Sequence, residues 1–110
     1  MTANFEVVLL NEAADFIHNL DSKAREKVYY NLDKARYVRD PKLFKKLTNE
    51  IWEFRVQHRS IQYRLLAFWD KRKSSDTLVV ATHGFVKKVS KVPAAELRRA
   101  LSIRASYYEL

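Results

Sequence analysis

From Ile51 to Trp69 apolar side chains recur with a strand's period of two, and this stretch constrains the fold more than any other. Trp52, Phe54 and Val56 alternate with Glu53, Arg55 and Gln57, which reads as a half-buried strand because successive side chains point to opposite faces. A second strand, Ile61 to Trp69, follows after Gln57-His58-Arg59-Ser60. A hairpin closed by that four-residue loop sets Val56 opposite Ile61. Phe54 then faces Tyr63 and Trp52 faces Leu65 on an apolar face, while Arg55 faces Gln62 and Glu53 faces Arg64 on a charged one. A slip of one residue would oppose Trp52 to Arg64, so the clean sorting supports the pairing.

Around this hairpin the pattern alternates between strand and helix. Phe5 to Leu10 is β-branched and apolar enough for a strand, with Asn11 as the cap of a helix carrying Phe16, Ile17 and Leu20. After Asp21-Ser22 the stripe Ala24, Val28, Leu32, Ala35 continues at helical spacing, predicting two helices or one kinked one. Arg39-Asp40-Pro41 ends it, because the residue before proline is pushed out of the helical region. Leu43, Phe44 and Leu47 form a short linking element. Asp70 to Asp76 reads as a polar turn and Thr77 to Thr82 as the next strand of a meander, left by His83-Gly84-Phe85-Val86-Lys87-Lys88. Gly84, the one glycine, marks a positive φ or a close approach. Pro93 precedes a closing helix, Ala94 to Leu110, with Leu97, Leu101 and Tyr108 suited to its buried face and Arg98, Arg99 and Arg104 outside. The expected architecture is α+β, β-α-α-β-β-β, with a helical pair on one face of an antiparallel sheet and a closing C-terminal helix, in one domain over residues 1–110.

Charge is divided along the chain. Residues 1–38 carry 5 basic and 6 acidic side chains, so the remaining 16 basic and 7 acidic of the chain's 21 and 13 lie in residues 39–110, a balance of −1 against +9. A field concentrated on one half of a small domain attracts a polyanion by releasing its counterions. With no cysteine there is no disulfide framework, thiolate site or thiol nucleophile, which fits a reducing compartment. The amino terminus has only the short apolar run Val7 to Leu10, so a cytosolic location is expected. His18, His58 and His83 lack ligand-like spacing, and neither a metal nor a cofactor is expected.

Leu47…Ile51-Trp52-Glu53-Phe54-Arg55, then Tyr63-Arg64-Leu65-Leu66, then His83-Gly84-Phe85-Val86-Lys87-Lys88…Lys91-Val92-Pro93, resembles the HigB-like branch of the RelE/ParE toxin superfamily in both residues and order. The resemblance implies a compact domain that cuts messenger RNA, usually on the translating ribosome, and is silenced by a cognate antitoxin protein.

RNA can be cut without a metal, because its own 2′-OH can attack the adjacent phosphate in line. The protein must then supply a base for the 2′ proton, cations for the charged phosphorane and an acid for the leaving 5′ oxygen. Arg55 and Arg64 project from the charged face, and Arg64 is assigned to the phosphate. Glu53 orients that guanidinium or acts as base. His83, with an ordinary pKa of about 6.5, is either base or acid, or a packed strand-end histidine, and the resemblance places it at the mouth of the site. Lys87 and Lys88 lie where related toxins use cations to hold or protonate the phosphate, and Lys91 extends that run. His58 and Arg59 in the hairpin loop are candidate RNA contacts, and Phe85 is the candidate stacking platform. Trp52, Phe54 and Tyr63 read as core by their period. Some relatives use a carboxyl-terminal tyrosine, but the spacing of Tyr107 and Tyr108 does not confirm it. Two other functions fit the sequence: a gyrase poison of the same fold, and a nonenzymatic basic RNA-binding module.

Overall fold

The computed structural model describes residues 2–72 and 77–109. Its elements are β1 (Glu6–Leu9), α1 (Asn11–His18), α2 (Ser22–Tyr37), β2 (Phe44–Lys46), β3 (Trp52–His58), β4 (Ile61–Asp70), β5 (Leu78–Lys87) and α3 (Ala94–Tyr108). The strands form one sheet in the order β1-β5-β4-β3-β2, with β1 parallel to β5 and the remaining pairs antiparallel. The α+β class, the helical pair and the closing helix are as expected. The sheet is mixed and gains β2, because the linking segment around Phe44 pairs with β3 and stacks Phe44 on Phe54 at 4.4 Å between ring centroids.

Two helices, not one kinked one, follow β1. Arg25 donates to the carbonyls of Ile17, His18 and Leu20, covering the end of α1. The Asp21 carboxylate accepts from the Ala24 N–H and starts α2. Asn11 is not the cap of α1: Leu10 holds that position in extended backbone with no side-chain bond, and Asn11 is already helical. Ala13, Ile17, Ala24, Val28, Leu32 and Ala35 are buried against Phe54, Val56, Tyr63, Leu65, Ala67, Val79 and Ala81. The apolar stripe of α2 and the apolar parity of β3 therefore meet in one core.

The β3–β4 hairpin is tighter than its loop composition suggests. His58 pairs with Ile61 and Val56 with Tyr63, so Arg59 and Ser60 alone form the turn, both at positive φ (51° and 67°). A two-residue turn with both φ positive matches strand twist and normally selects Asn or Gly, which is why Arg59-Ser60 conceals it. The register consequently moves by two: Phe54 pairs with Leu65, Trp52 with Ala67, Arg55 with Arg64 and Glu53 with Leu66. A shift of two keeps every side chain on its expected face.

β5 does not end at Thr82; it runs on through Lys87. Leu66 pairs with His83 and Ala67 with Ala81, leaving Thr82 as the extra residue of a bulge. Thr82 Oγ1 donates to the Leu66 carbonyl at 3.2 Å, satisfying a group that the broken ladder would strand. Gly84 has no positive φ, and a Cβ there would overlap the Phe16 ring. Close approach of α1, not backbone conformation, requires the glycine.

α3 lies on the sheet's second face. Ala100 is buried among Ile51, Leu66, Phe68 and Val80, flanked by Leu97, Tyr107 and Tyr108. Two expectations for α3 fail: Leu101 is 41% exposed, and Arg104 lies over the Phe68 and Tyr108 rings. The buried stripe passes through Ala100 and down the aromatic end of the helix, on which a guanidinium packs flat. Asp70 ends β4 and holds the fork of Arg72 and the Tyr107 hydroxyl; residues 73–76 of the expected turn lie outside the described residues. None of the described helices is long and apolar enough to cross a membrane.

Candidate active site

The second face of the sheet has a covered half and an open half. α3 covers Leu66 and Phe68, whereas Glu53, Arg55, Arg64 and Lys87 lie beyond its amino-terminal end. Strand alternation brings Glu53 and Arg55 of β3 and Arg64 of β4 to this face. The Thr82 bulge brings Lys87. Without the extra residue, the alternation running from Val79 and Ala81 would turn His83, Phe85 and Lys87 toward α1.

Glu53 and Arg64 are buried, with residue exposures of 4% and 2%. Arg64 Nε lies 3.1 Å from Glu53 Oε1, and Arg55 Nε lies 3.8 Å from Glu53 Oε2. One carboxylate thus sits between two guanidiniums. Arg64 Nη1 also donates to the Tyr63 carbonyl at 3.0 Å and to Gln62 Oε1 at 3.2 Å. Hydrogen bonds thus tie Nη1 to β4, while the Nε–Oε1 approach is a charge contact without hydrogen-bond geometry. The guanidinium is therefore positioned before any ligand arrives, by its Nη1 end and by the Glu53 charge. Burial lowers the Arg64 pKa against the opposing pull of Glu53, yet a guanidinium is so strong a base that it stays charged at neutral pH. Burial, then the Arg64 cation, lowers the Lys87 ammonium, with Arg55 and Lys45 adding to the shift and Glu53 opposing it.

These groups open into a groove of about 340 Å³ that Lys45, Glu53, Arg55, Lys87 and Lys91 line with Leu47, Val92 and Leu97. A second hollow of about 330 Å³ shares Arg55 and continues past Arg64 to Lys27 and Lys42. The arrangement is a run of cations around one buried carboxylate, suited to a phosphate chain.

The other expected residues are divided. Phe85 pairs with Arg64 across the ladder and is half-buried, ring-stacked on His83 at 6.0 Å. Lys88 is exposed just past β5. His83 is 1% exposed and sits beneath α3, not at an open mouth. Its Nδ1 is 3.0 Å from Thr82 Oγ1 and its Nε2 is 2.9 Å from Glu96 Oε1. Burial lowers its pKa despite the attraction of Glu96. His58 shares the parity of Val56 and faces the helical pair, and with Arg59 it lies near Asp21, away from Glu53 and Arg64. Phe54 and Tyr63 are core, but Trp52 is only partly buried. Lys45 and Lys42 join the grooves without having been singled out from sequence. A strand reading of Phe44–Lys46 would have placed Lys45 on the face of Glu53.

The fold and this site define a small α+β domain with a cationic sheet face built around a buried acid–base pair. Over residues 15–104 the chain matches the family model described as Phage derived protein Gp49-like (DUF891), and it belongs to that family, which is tied to RelE-type toxins of toxin–antitoxin pairs. No individually curated protein matches it.

Proposed function

We propose that this protein is an RNA-cleaving toxin of the HigB-like kind, acting on messenger RNA at the ribosome and silenced by a cognate antitoxin. The observation that carries the reading is the Glu53–Arg64 pair, buried on the cationic face, with Glu53 lining one basic groove and Arg64 the adjoining one that shares Arg55 with it. A buried ion pair is a poor device for stability, since desolvation offsets most of its attraction. Its retention beside Arg55 and Lys87 suits a task that needs a fixed cation.

In this reading Arg64 and Arg55 hold the nonbridging oxygens of the scissile phosphate and stabilise the phosphorane. The 2′ oxygen forms its bond to phosphorus as the bond to the 5′ oxygen breaks. Glu53 fixes the Arg64 fork and takes the 2′ proton through Oε2. Lys87, with its affinity for the proton lowered, donates to the departing 5′ oxygen. Lys91, Lys88 and Lys45 hold flanking phosphates, and Phe85 stacks on a base. No step needs a metal or cofactor. His83 serves as a positioning residue that ties the Thr82 bulge to Glu96 of α3, whose start walls the groove.

Expression without an antitoxin should arrest translation and produce new 5′ ends inside translated messages by primer extension. Arg64→Lys, which keeps the charge but loses the fork, should slow cleavage by about 10²-fold. Growth arrest with messages intact and gyrase trapped on DNA would establish the poison instead. RNA binding with no cleavage would leave a binding module.

A further inference from the structure

At the end of the sheet where β3 begins, a second groove of about 410 Å³ lies among Trp52, Trp69, Lys46, Lys71, Arg104 and Tyr108. The two indoles meet edge to face at 6.0 Å and 76°, and Phe44 backs Trp52 at 4.8 Å. Arg104 holds its guanidinium 5.1 Å from the Tyr108 ring centroid and 5.7 Å from that of Phe68. Its Nε is buried with no hydrogen-bond partner among the described residues. Stacking therefore holds this cation at the groove, which the guanidinium lines. Lys46 and Lys71 are exposed on the same groove.

We infer that this groove is a nucleotide subsite, which stacks one unpaired base of an RNA strand on the Trp52–Trp69 wall and holds its phosphate with Arg104, Lys46 and Lys71. The inference rests on the proposed RNA-cleaving function for the path of the strand, though not for the groove itself. Aromatic rings with interspersed cations are the chemistry that binds single-stranded nucleic acid, because every base offers a π-face and every nucleotide a charge. Asn49 and Glu50 also line the groove and offer a donor and acceptors to a base edge. Glu50 opposes any anion, so the choice of RNA over an acidic peptide, the other ligand that three cations would attract, rests on the indole wall, which offers a stacking face to a base.

The path is set by strand alternation. Trp52 and Glu53 are neighbours on β3, and Trp52 lines this groove while Glu53 lines the cleavage groove. Lys46 and Lys45, their partners on edge strand β2, are divided in the same way. One strand of RNA crossing β2 would meet a lysine on each side. The cleavage groove would then receive the scissile phosphate, and the second groove would fix a nucleotide flanking it.

Trp52 and Trp69 are the chain's two tryptophans, so intrinsic fluorescence reports this groove directly. The test titrates the full chain with a single-stranded RNA hexamer methylated at every 2′ oxygen, which cannot be cut. The hexamer should quench tryptophan emission, and an abasic hexamer of the same length should bind more weakly without quenching. The exposed double variant Lys46→Glu/Lys71→Glu should weaken quenching affinity about tenfold, as should Arg104→Ala if it folds. Equal quenching by the abasic strand, or quenching by an acidic peptide and not by RNA, would overturn the inference. Message cleavage without quenching would sink the subsite and spare the proposed function. Quenching without cleavage would do the reverse.

Discussion

The two faces of the sheet are built from the same strands but solve different problems. Under α1 and α2 the rungs from Phe54 and Val56 across to Val79 and Ala81 are apolar, with Lys46 and His58 only at the margins. Among the described residues, fourteen buried side chains from Phe5 to Ala81 form one continuous core. On the opposite face apolar packing stops where α3 begins, and the next buried groups are Glu53 and Arg64. Leu66 and Arg64 are two residues apart on one strand, so the change from packing to charge occurs within a single step of the strand period. The first face stabilises the fold by removing apolar area from water; the second keeps a desolvated ion pair that an apolar pair could replace. The expectation that follows is that the charged half can be exchanged for apolar residues without loss of the fold.

That contrast can be tested from the largest expected effect downward. Phe54→Ala, at 1% exposure among stacked rings, should cost roughly 3–5 kcal/mol in denaturant unfolding. Cleavage per folded molecule should stay near wild type, and a selective loss of activity in a folded variant would show that the faces are not separable. Arg64→Ala should cost about 3–5 kcal/mol by stranding the Glu53 carboxylate, whereas Glu53→Leu/Arg64→Met should return stability to about the wild-type value. If the double variant is as unstable as the single one, the pair is structural. Gly84→Ala should cost about 1–3 kcal/mol through the Phe16 ring, and Phe16→Leu in the same chain should recover part of it.

His83 gives the smallest effect. Its pKa is lowered in the fold, so its contribution is complete above the unfolded value of about 6.5 and is lost as pH falls through the lower folded value. Thermal melts should therefore show wild type losing stability relative to His83→Gln on acidification. His83→Gln should change the cleavage rate by less than about fivefold and leave the pH–rate profile in place. Loss of a limb near neutrality, with a fall of ~10² or more, would make His83 the general base or acid.

Much of this was legible in the sequence, and the misses share a cause. Alternation put Glu53, Arg55 and Arg64 on one face, and helical spacing gave the stripe of α2. The hairpin register escaped because Arg59-Ser60 takes a turn that its residues do not advertise, although the period of two protected the faces. The face of His83, Phe85 and Lys87 could not be read, since it depends on a single extra residue, Thr82, that only the ladder partner across the sheet defines. The second groove was hidden for a similar reason. Trp52 has the parity of a core residue, and only the tertiary packing of α3 brings Arg104 and Tyr108 beside it.

The central claim is that the Glu53–Arg64 pair is kept for phosphate chemistry and not for stability. The most direct measurement compares single-turnover cleavage of ribosome-bound message by purified wild type and by Glu53→Leu/Arg64→Met, at matched folded fractions, with the new ends identified chemically. Wild type should leave a 5′-hydroxyl and a 2′,3′-cyclic phosphate, while the equally stable double variant should cut at least ~10²–10³ more slowly. Cleavage by the double variant at the wild-type rate, or wild-type products carrying 5′-phosphates, would contradict the account.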